Sequence, residues 1–362
     1  MKIVCTQENL NKALQAIGRI PKKDSTLPIL NNVLIEASRN NTTLKATDLE
    51  IGISVVVRGK VEEEGSVTVP ASLLAEYVAT LPRQNVTLEA TGESISVSCG
   101  QFSSTLLGMK NEDFPLIPKV ENGQSIKISA GLFKTQLAQV VAFTALDEMR
   151  PEIAGVHFEV ADKTLILAAT DGHRLAEAKA TVESADLKNQ LILPRQTLLE
   201  LSRVLENDGT LEISASENQV SFVYKDVNLV SRLIDGAYPP YRELVPSDFQ
   251  TEVTFDRAEL ISSLRATSLF GKHNVQDITM EIGKDEVKLA SQASQVGESH
   301  AALAVSYQGV ANSITFNARY LIEGVANFTG DKVTLHMNSS TEPAIIRGTD
   351  SGYFYLIMPI KH

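Results

Sequence analysis

"NQLILPRQTLLELSRVL", residues 189–205, reads as a short alternating strand, a proline and then an amphipathic helix, and it is the second of three such stretches. The others are "GSVTVPASLLAEYVATL" (65–81) and "NSITFNARYLIEGVANF" (312–328). Pro70, Pro194 and Asn317 mark the same boundary in each and are spaced by 124 and 123 residues. Proline suits the first turn of a helix, whose N–H needs no intrahelical partner, and asparagine is a favoured N-cap. A fixed period of this length means one supersecondary unit used three times.

A second helix recurs at the same interval in "ENLNKALQAIGRI" (8–20), "GLFKTQLAQVVAFT" (131–144) and "RAELISSLRATSLF" (257–270). Leu10, Leu14 and Ile17, then Phe133, Leu137 and Val140, then Leu260, Leu264 and Thr267 fall at i, i+4, i+7. That is the stripe of a helix with one buried face, so these residues are expected in the core. Strand patterns recur too: "NNVLIEAS", "AGVHFEVA" and "QDITMEIG" follow the first helix of each copy, and hairpin patterns follow the second. Each copy reads as helix, strands, helix, strands. The fold class is therefore α+β in three domains, 1–123, 124–249 and 250–362, joined through "FPLIPKVENGQ" and "YPPYRELVPSDF". Both joins are short and neither is Gly/Ser-rich, which predicts domains in fixed relation.

At 362 residues and 43% apolar the chain can bury a full core. No stretch has the roughly 18 apolar residues of a membrane span, and the first residues lack a signal-peptide core, so a cytoplasmic location is expected. Cys5 and Cys99 sit in strand-like runs and are expected to be buried and reduced. The formal charge of −11 argues against a uniformly basic, nucleic-acid-gripping surface. Yet the six helical segments carry an excess of seven basic residues, leaving −18 elsewhere. Mildly basic helices under an acidic exterior suit nucleic acid that sits nearby without being held tightly. There is no Trp and no zinc-finger or helix-turn-helix pattern, which argues against base-specific or stacking recognition.

One stretch resembles an active site. "ATDGHRLA" (169–176) brings Asp171, His173 and Arg174 together. Adjacency does not supply triad geometry, no G-x-S-x-G elbow is present, and the six histidines show no metal-ligand spacing, so neither an enzyme nor a metal or cofactor site is expected. Asp-Gly between two strands is a hairpin signal. The first copy has Thr47-Asp48 where the second has Thr170-Asp171, which makes the aspartate a scaffold residue; Gly172, His173 and Arg174 are what the second copy adds, as a surface site would.

With "TLPIL" (26–30), "TDLE" (47–50), "ATDGHRLA", "YPPYREL" (238–244), "FNARYL" (316–321) and "YLIMPI" (355–360), the chain resembles the bacterial DNA polymerase III β subunits, the sliding clamps, over its whole length. The resemblance implies a non-catalytic processivity factor without cofactors. Two copies, head to tail, would close a six-domain ring with helices inside and sheets outside. Twelve helices about 10 Å wide make a circle about 38 Å across and leave about 28 Å clear; a duplex about 20 Å across passes through that. Implied partners are double-stranded DNA bound without sequence preference, a second copy, the replicative polymerase α subunit, the clamp loader and other proteins carrying a clamp motif.

The resemblance also implies a peptide pocket between the second and third domains, made by Arg150, Ile153, Thr170, Gly172, His173, Arg174, Leu175, Pro239, Leu244, Asn317, Tyr320, Pro343, Leu356, Met358, Pro359 and Ile360. Such an apolar cleft suits a partner segment ending in Leu and Phe. Two departures bear on peptide preference: the chain ends "MPIKH", and Glu243 stands where a basic residue can occur. The DNA-facing candidates are Lys12, Arg19, Lys22, Lys23, Lys134, Arg195, Arg203 and Arg265; because "LDEMRPE" (146–152) is acidic, Lys22, Lys23, Arg195 and Arg203 are favoured for phosphate contact. Dimer closure is assigned to Phe102, Leu106 and Leu107 facing Leu269 and Phe270. The alternatives are an acidic three-domain peptide scaffold that never encircles DNA, and a hydrolase.

Overall fold

The computed structural model describes residues 1–21, 27–39, 41–120, 124–147, 149–182, 190–271, 276–293, 297–349 and 352–361. Six α-helices occur among them: α1 (Gln7–Ile17), α2 (Ala71–Thr80), α3 (Ala130–Val140), α4 (Arg195–Val204), α5 (Arg257–Ser268) and α6 (Ala318–Ala326). Each follows directly on a strand. Thr6, Asp256 and Asn317 end their strands and cap α1, α5 and α6, their side-chain oxygens accepting the N–H of Asn9, Glu259 and Tyr320. Pro70 ends strand Gly65–Pro70 and occupies the N-cap of α2, one position before the first-turn site that proline statistics favour. Its φ of −56° with ψ of 115° is extended, so it completes the ladder opposite Asn32 before the helix begins. The strands that lead into α1, α3 and α5, at Lys2–Thr6, Gln124–Ser129 and Thr251–Asp256, add one element per repeat to the sequence reading.

The chain divides into two compact units. Unit 1 holds Met1–Lys134, Val182–Lys188 and Gln196–Leu233; unit 2 holds Thr135–Thr181, Asn189–Arg195 and Ile234–His362. This is a different division from the threefold repeat, because the strands of the middle copy are shared between two large antiparallel sheets.

In unit 1 an eight-stranded sheet runs Gln124–Ser129, Thr210–Ala215, Gln219–Tyr224, Val227–Arg232, Ile51–Val57, Asn41–Thr47, Asn32–Ser38, Gly65–Pro70. Its seam between the first and middle copies pairs Val227 with Val55 through Ser231 with Ile51. A five-stranded sheet follows the order Gly59–Glu63, Lys2–Thr6, Asn85–Thr91, Ser94–Cys99, Phe102–Leu107. α1 packs on α2 and on strands Asn41–Thr47 and Ile51–Val57, with Leu10, Leu14 and Ile17 fully buried. Buried Gln7 donates to the Val78 carbonyl at 2.8 Å and ties the two helices. Cys5 and Cys99 are buried free thiols, and burial pushes the Cys5 thiol up to about 11.

In unit 2 a nine-stranded sheet runs Leu191–Pro194, Gly155–Ala161, Thr164–Thr170, Arg174–Thr181, Tyr353–Ile357, Ala344–Gly348, Lys332–Met337, Thr251–Asp256, Ser306–Gly309. A four-stranded sheet follows Gly297–Ala304, Glu286–Ala293, Asp277–Ile282, Asn312–Asn317. α6 packs on α5 and on strand Tyr353–Ile357. Gly324 makes this possible, since a Cβ there would lie 2.2 Å from the Tyr355 ring. Strand Arg174–Thr181 is central and mostly buried, because it has neighbours on both sides and because its Glu177 is satisfied by the Tyr241 hydroxyl and Lys179.

Candidate functional site

The turn at 170–174 is built by its own side chains. Thr170 Oγ1 donates to the Arg174 carbonyl at 2.7 Å and accepts the Gly172 N–H at 3.1 Å. Asp171 Oδ1 accepts the N–H groups of His173 and Arg174 at 3.0 and 3.1 Å. Gly172 has φ of 88°, a left-handed conformation that glycine adopts without a steric cost. The first repeat makes the same turn. Thr47 Oγ1 donates to the Ile51 carbonyl at 2.9 Å and accepts the Leu49 N–H at 3.0 Å, while Asp48 Oδ1 accepts from Glu50 and Ile51 at 3.1 and 2.8 Å. Asp171 is therefore a scaffold residue. Leu49 takes glycine's place with φ of 78°.

Arg174 is not a surface residue, contrary to the sequence reading. It is 8% exposed. Its Nε donates to Asp171 Oδ2 at 2.9 Å, its Nη1 donates to Glu323, and the guanidinium lies 4.1 Å over the Tyr320 ring and 4.9 Å over Phe143. Burial opposes its charge, but the hydrogen bonds to Glu323 and Asp171 outweigh burial and raise its pKa. Glu323 also accepts from Arg319 at 2.7 Å; burial raises its carboxyl, the two arginines lower it, and the net shift is downward. Arg174 thus orients Tyr320 from beneath. Leu175 and Leu356 are likewise buried, at 2% exposure each, in a cluster with Tyr241, Ala168 and Ile345.

The exposed surface over this base comes from five places in the chain: Arg150, the turn at 172–173, the join at 239–244, Tyr320 and the residues 358–360. His173 sits with its ring 6.4 Å from Tyr320 at 28°, and its carbonyl accepts the Met358 N–H at 2.9 Å. Ile360 N–H donates to the Thr315 carbonyl at 2.8 Å, which pins the chain end beside the strand leading into α6. Arg150 lies against Gly172, its Nη2 3.4 Å from where a Cβ would stand. Asn317 is engaged as the α6 cap. Leu244 is 56% exposed on the turn Tyr241–Leu244, near which Pro239 accepts the Tyr241 N–H at 2.7 Å. Pro343 precedes strand Ala344–Gly348, Pro359 is buried, and Ile153 is buried with its carbonyl accepting from Ala145. All these residues belong to unit 2.

Sequence reasoning missed the supports. Tyr241 is buried and donates to Glu177; burial, then the adjacent carboxylate, raise its hydroxyl pKa. The His157 ring lies 5.0 Å from that of Tyr238, tilted by 37°, and burial lowers its pKa more than its Glu159 partner raises it. "YPPYREL" carried a signal for this cluster, two tyrosines in a proline-stiffened join, but the partners Glu177 and Glu323 are remote in sequence.

Of the basic candidates, Lys12 pairs with Glu206 at 2.8 Å, Arg203 pairs with Glu200, and Lys134 donates to the Leu205 carbonyl at 2.7 Å. Arg19 and Arg265 are exposed and Arg195 is half-buried. Lys22 and Lys23 lie outside the described residues. Phe102 and Leu107 are 44% and 79% exposed on an edge strand of the five-stranded sheet, and Leu269 is 74% exposed with Phe270 half-buried beside it. Leu106 corrects the sequence reading: at 4% exposure it points into its own core, because side chains alternate along a strand.

Three family models match in order along the chain: the N-terminal domain of the DNA polymerase III beta subunit over residues 1–118, the central domain over 127–240 and the C-terminal domain over 242–361. The beta sliding clamp of Synechocystis sp. is 30% identical, with 100% of this chain and 99% of that protein covered. The crystal structure of the DNA polymerase sliding clamp from Bacillus subtilis superposes with a TM-score of 0.96 at 26% identity, covering 100% and 99% of the two chains. A sliding clamp from Bartonella birtlesii, solved bound to griselimycin, gives 0.95 at 28% identity over the whole of both chains. With its turns, caps and seams accounted for and its full length matched domain by domain, the chain belongs to the DNA polymerase III β subunit family.

Proposed function

We propose that this protein is a DNA sliding clamp: a non-catalytic head-to-tail dimer that closes a six-domain ring round duplex DNA and tethers the replicative polymerase, the clamp loader and other proteins. The observation that carries this is the match of three β-subunit domains, in order, to a chain that itself repeats one unit three times. On this reading the domains are 1–123, 124–249 and 250–362, and the ring works where replication does, in the cytoplasm. No helix among the described residues is long and apolar enough to cross a membrane.

The peptide site is the surface of unit 2 formed by His173, Gly172, Arg150, Tyr320, Met358 and Leu244, over a buried base of Leu175, Leu356 and Arg174. Burying a few hundred Å² of apolar surface at about 25 cal/mol per Å², less the cost of ordering a peptide, gives micromolar affinity at best. Weak sites allow partners to exchange. Arg19, Arg195 and Arg265 are the better candidates for phosphate contact, since Lys12, Lys134 and Arg203 already have partners. Closure joins the edge strand carrying Phe102 and Leu107 to the region of Leu269 and Phe270.

The test is retention of labelled protein on nicked circular DNA, after loading by its cognate loader with ATP, before and after one cut. Retention in high salt on the circle and loss on cutting are expected, because a closed ring is held topologically when phosphate contacts are screened. Equal behaviour on both forms would favour an acidic peptide scaffold that does not encircle DNA.

A further inference from the structure

The seam of unit 1 repeats the plan of the proposed peptide site. The Glu50 carbonyl accepts the Arg232 N–H at 3.1 Å, as that of His173 accepts from Met358 at 2.9 Å. Gly52 pairs with Val230 as Leu175 pairs with Leu356. A Cβ at Gly52 would lie 2.6 Å from Ile117 Cγ2, so Ile117 fills from the domain join the place beside the strand that Tyr241 fills in unit 2. Above this base Thr47, Leu49, Glu50, Leu116, Pro118 and Arg232 contribute to a cavity of about 320 Å³. Leu116 is 96% exposed, and Leu49 48%. Pro115 and Pro118 restrict the backbone on either side of Leu116 and offer no N–H. Leu116 and Leu49 together expose apolar surface in the lining of one cavity, which a lone surface leucine would not do.

The charges differ between the two sites. Glu50 and Arg232 stand where unit 2 has His173 and Met358, and among the described residues neither side chain forms an ion pair. We propose that this cavity is a second docking site, for a short extended peptide that sets a Leu- or Phe-sized side chain against Leu116 and Leu49 and a carboxylate on Arg232. The proposal rests on the reading of unit 2 as a peptide site, whose construction it shares. It differs in taking one carboxylate, at Arg232, because a guanidinium forks onto a carboxylate where a methionine offers nothing to it, while Glu50 in the same lining disfavours further acidic residues.

The probes are Ala-Ala-Asp-Leu-Phe and Ala-Ala-Lys-Leu-Phe with a photoreactive Phe analogue, added at millimolar concentration to the full-length protein, with adducts mapped by mass spectrometry. The Asp peptide is expected to label residues around 49 and 116 as well as those around 173, 320 and 358. The Lys peptide should lose at least fivefold of the first signal. Leu116→Ser and Arg232→Ala should each cut labelling near 49 and 116 tenfold, leave labelling near 173 intact, and leave the thermal midpoint unchanged. Adducts confined to the unit 2 site would overturn this inference and spare the proposed peptide site; adducts near 116 alone would do the reverse. Labelling near 116 that survives both substitutions, or no labelling at all, would also sink it.

Discussion

The guanidinium of Arg174 lies between two carboxylates, Asp171 and Glu323, and between two rings, Tyr320 and Phe143. Removing one partner of a buried ion pair leaves the other charge without compensation and costs about 3–5 kcal/mol. Glu323 is 35% exposed and can regain water, which argues for the lower end. Arg174→Met should therefore destabilise by about 3 kcal/mol in urea melts, and adding Glu323→Gln should cost less than the sum of the single changes. Additive losses would mean the two residues are not coupled. His157 gives a pH-dependent case. Burial lowers its folded pKa below the unfolded value. As pH falls through about 6.5 the unfolded chain takes up a proton that the folded protein refuses, so stability falls with acidity. His336, also lowered first by burial, acts in the same direction. Urea midpoints at pH 7.5, 6.5 and 5.5 should drop steadily, and less steeply in His157→Phe; equal slopes in the two proteins would contradict the assignment.

At the scale of elements, the two turns offer a paired experiment. Leu49 and Gly172 hold the same left-handed φ inside the same hydrogen bonds, but only one is glycine. Non-glycine residues there are strained by about 1 kcal/mol. Leu49→Gly should stabilise by up to about 1 kcal/mol and Gly172→Ala should cost about as much, both read by urea denaturation; a loss of stability in Leu49→Gly would show that the side chain packs more than it strains. This turn was legible in the sequence because Thr-Asp is a local signal, and the helices were legible because Leu10, Leu14 and Ile17 keep a helical period. Leading strands such as Gln124–Ser129 were not, since a six-residue alternation is brief. The role of Arg174 depends on Glu323, 149 residues away, and the annexation of the middle repeat's strands by two large sheets depends on the pairings of Val227 with Val55 and of Ala178 with Tyr353. No local pattern encodes such partners.

For the whole molecule, the question is what closes two chains into one ring. A heterologous contact closes only if two different surfaces on one chain complement each other. Strand Phe102–Leu107 ends the five-stranded sheet in unit 1, and strand Gly297–Ala304 ends the four-stranded sheet in unit 2. Unpaired edges with exposed apolar side chains invite pairing. Leu107 and Leu106 are neighbours with opposite burial, 79% and 4% exposed, and separate assembly from folding. Leu107→Glu sets a charge on the proposed contact without touching the core. It is expected to sediment as a monomer at concentrations where the unaltered protein is a dimer, with an unchanged thermal midpoint for the monomer, and to lose retention on circular DNA. Leu106→Ala leaves a cavity and should cost about 2–5 kcal/mol in folding while still assembling at low temperature. If Leu107→Glu remains a dimer by sedimentation, the edge strand is not the closing surface and the ring must join elsewhere.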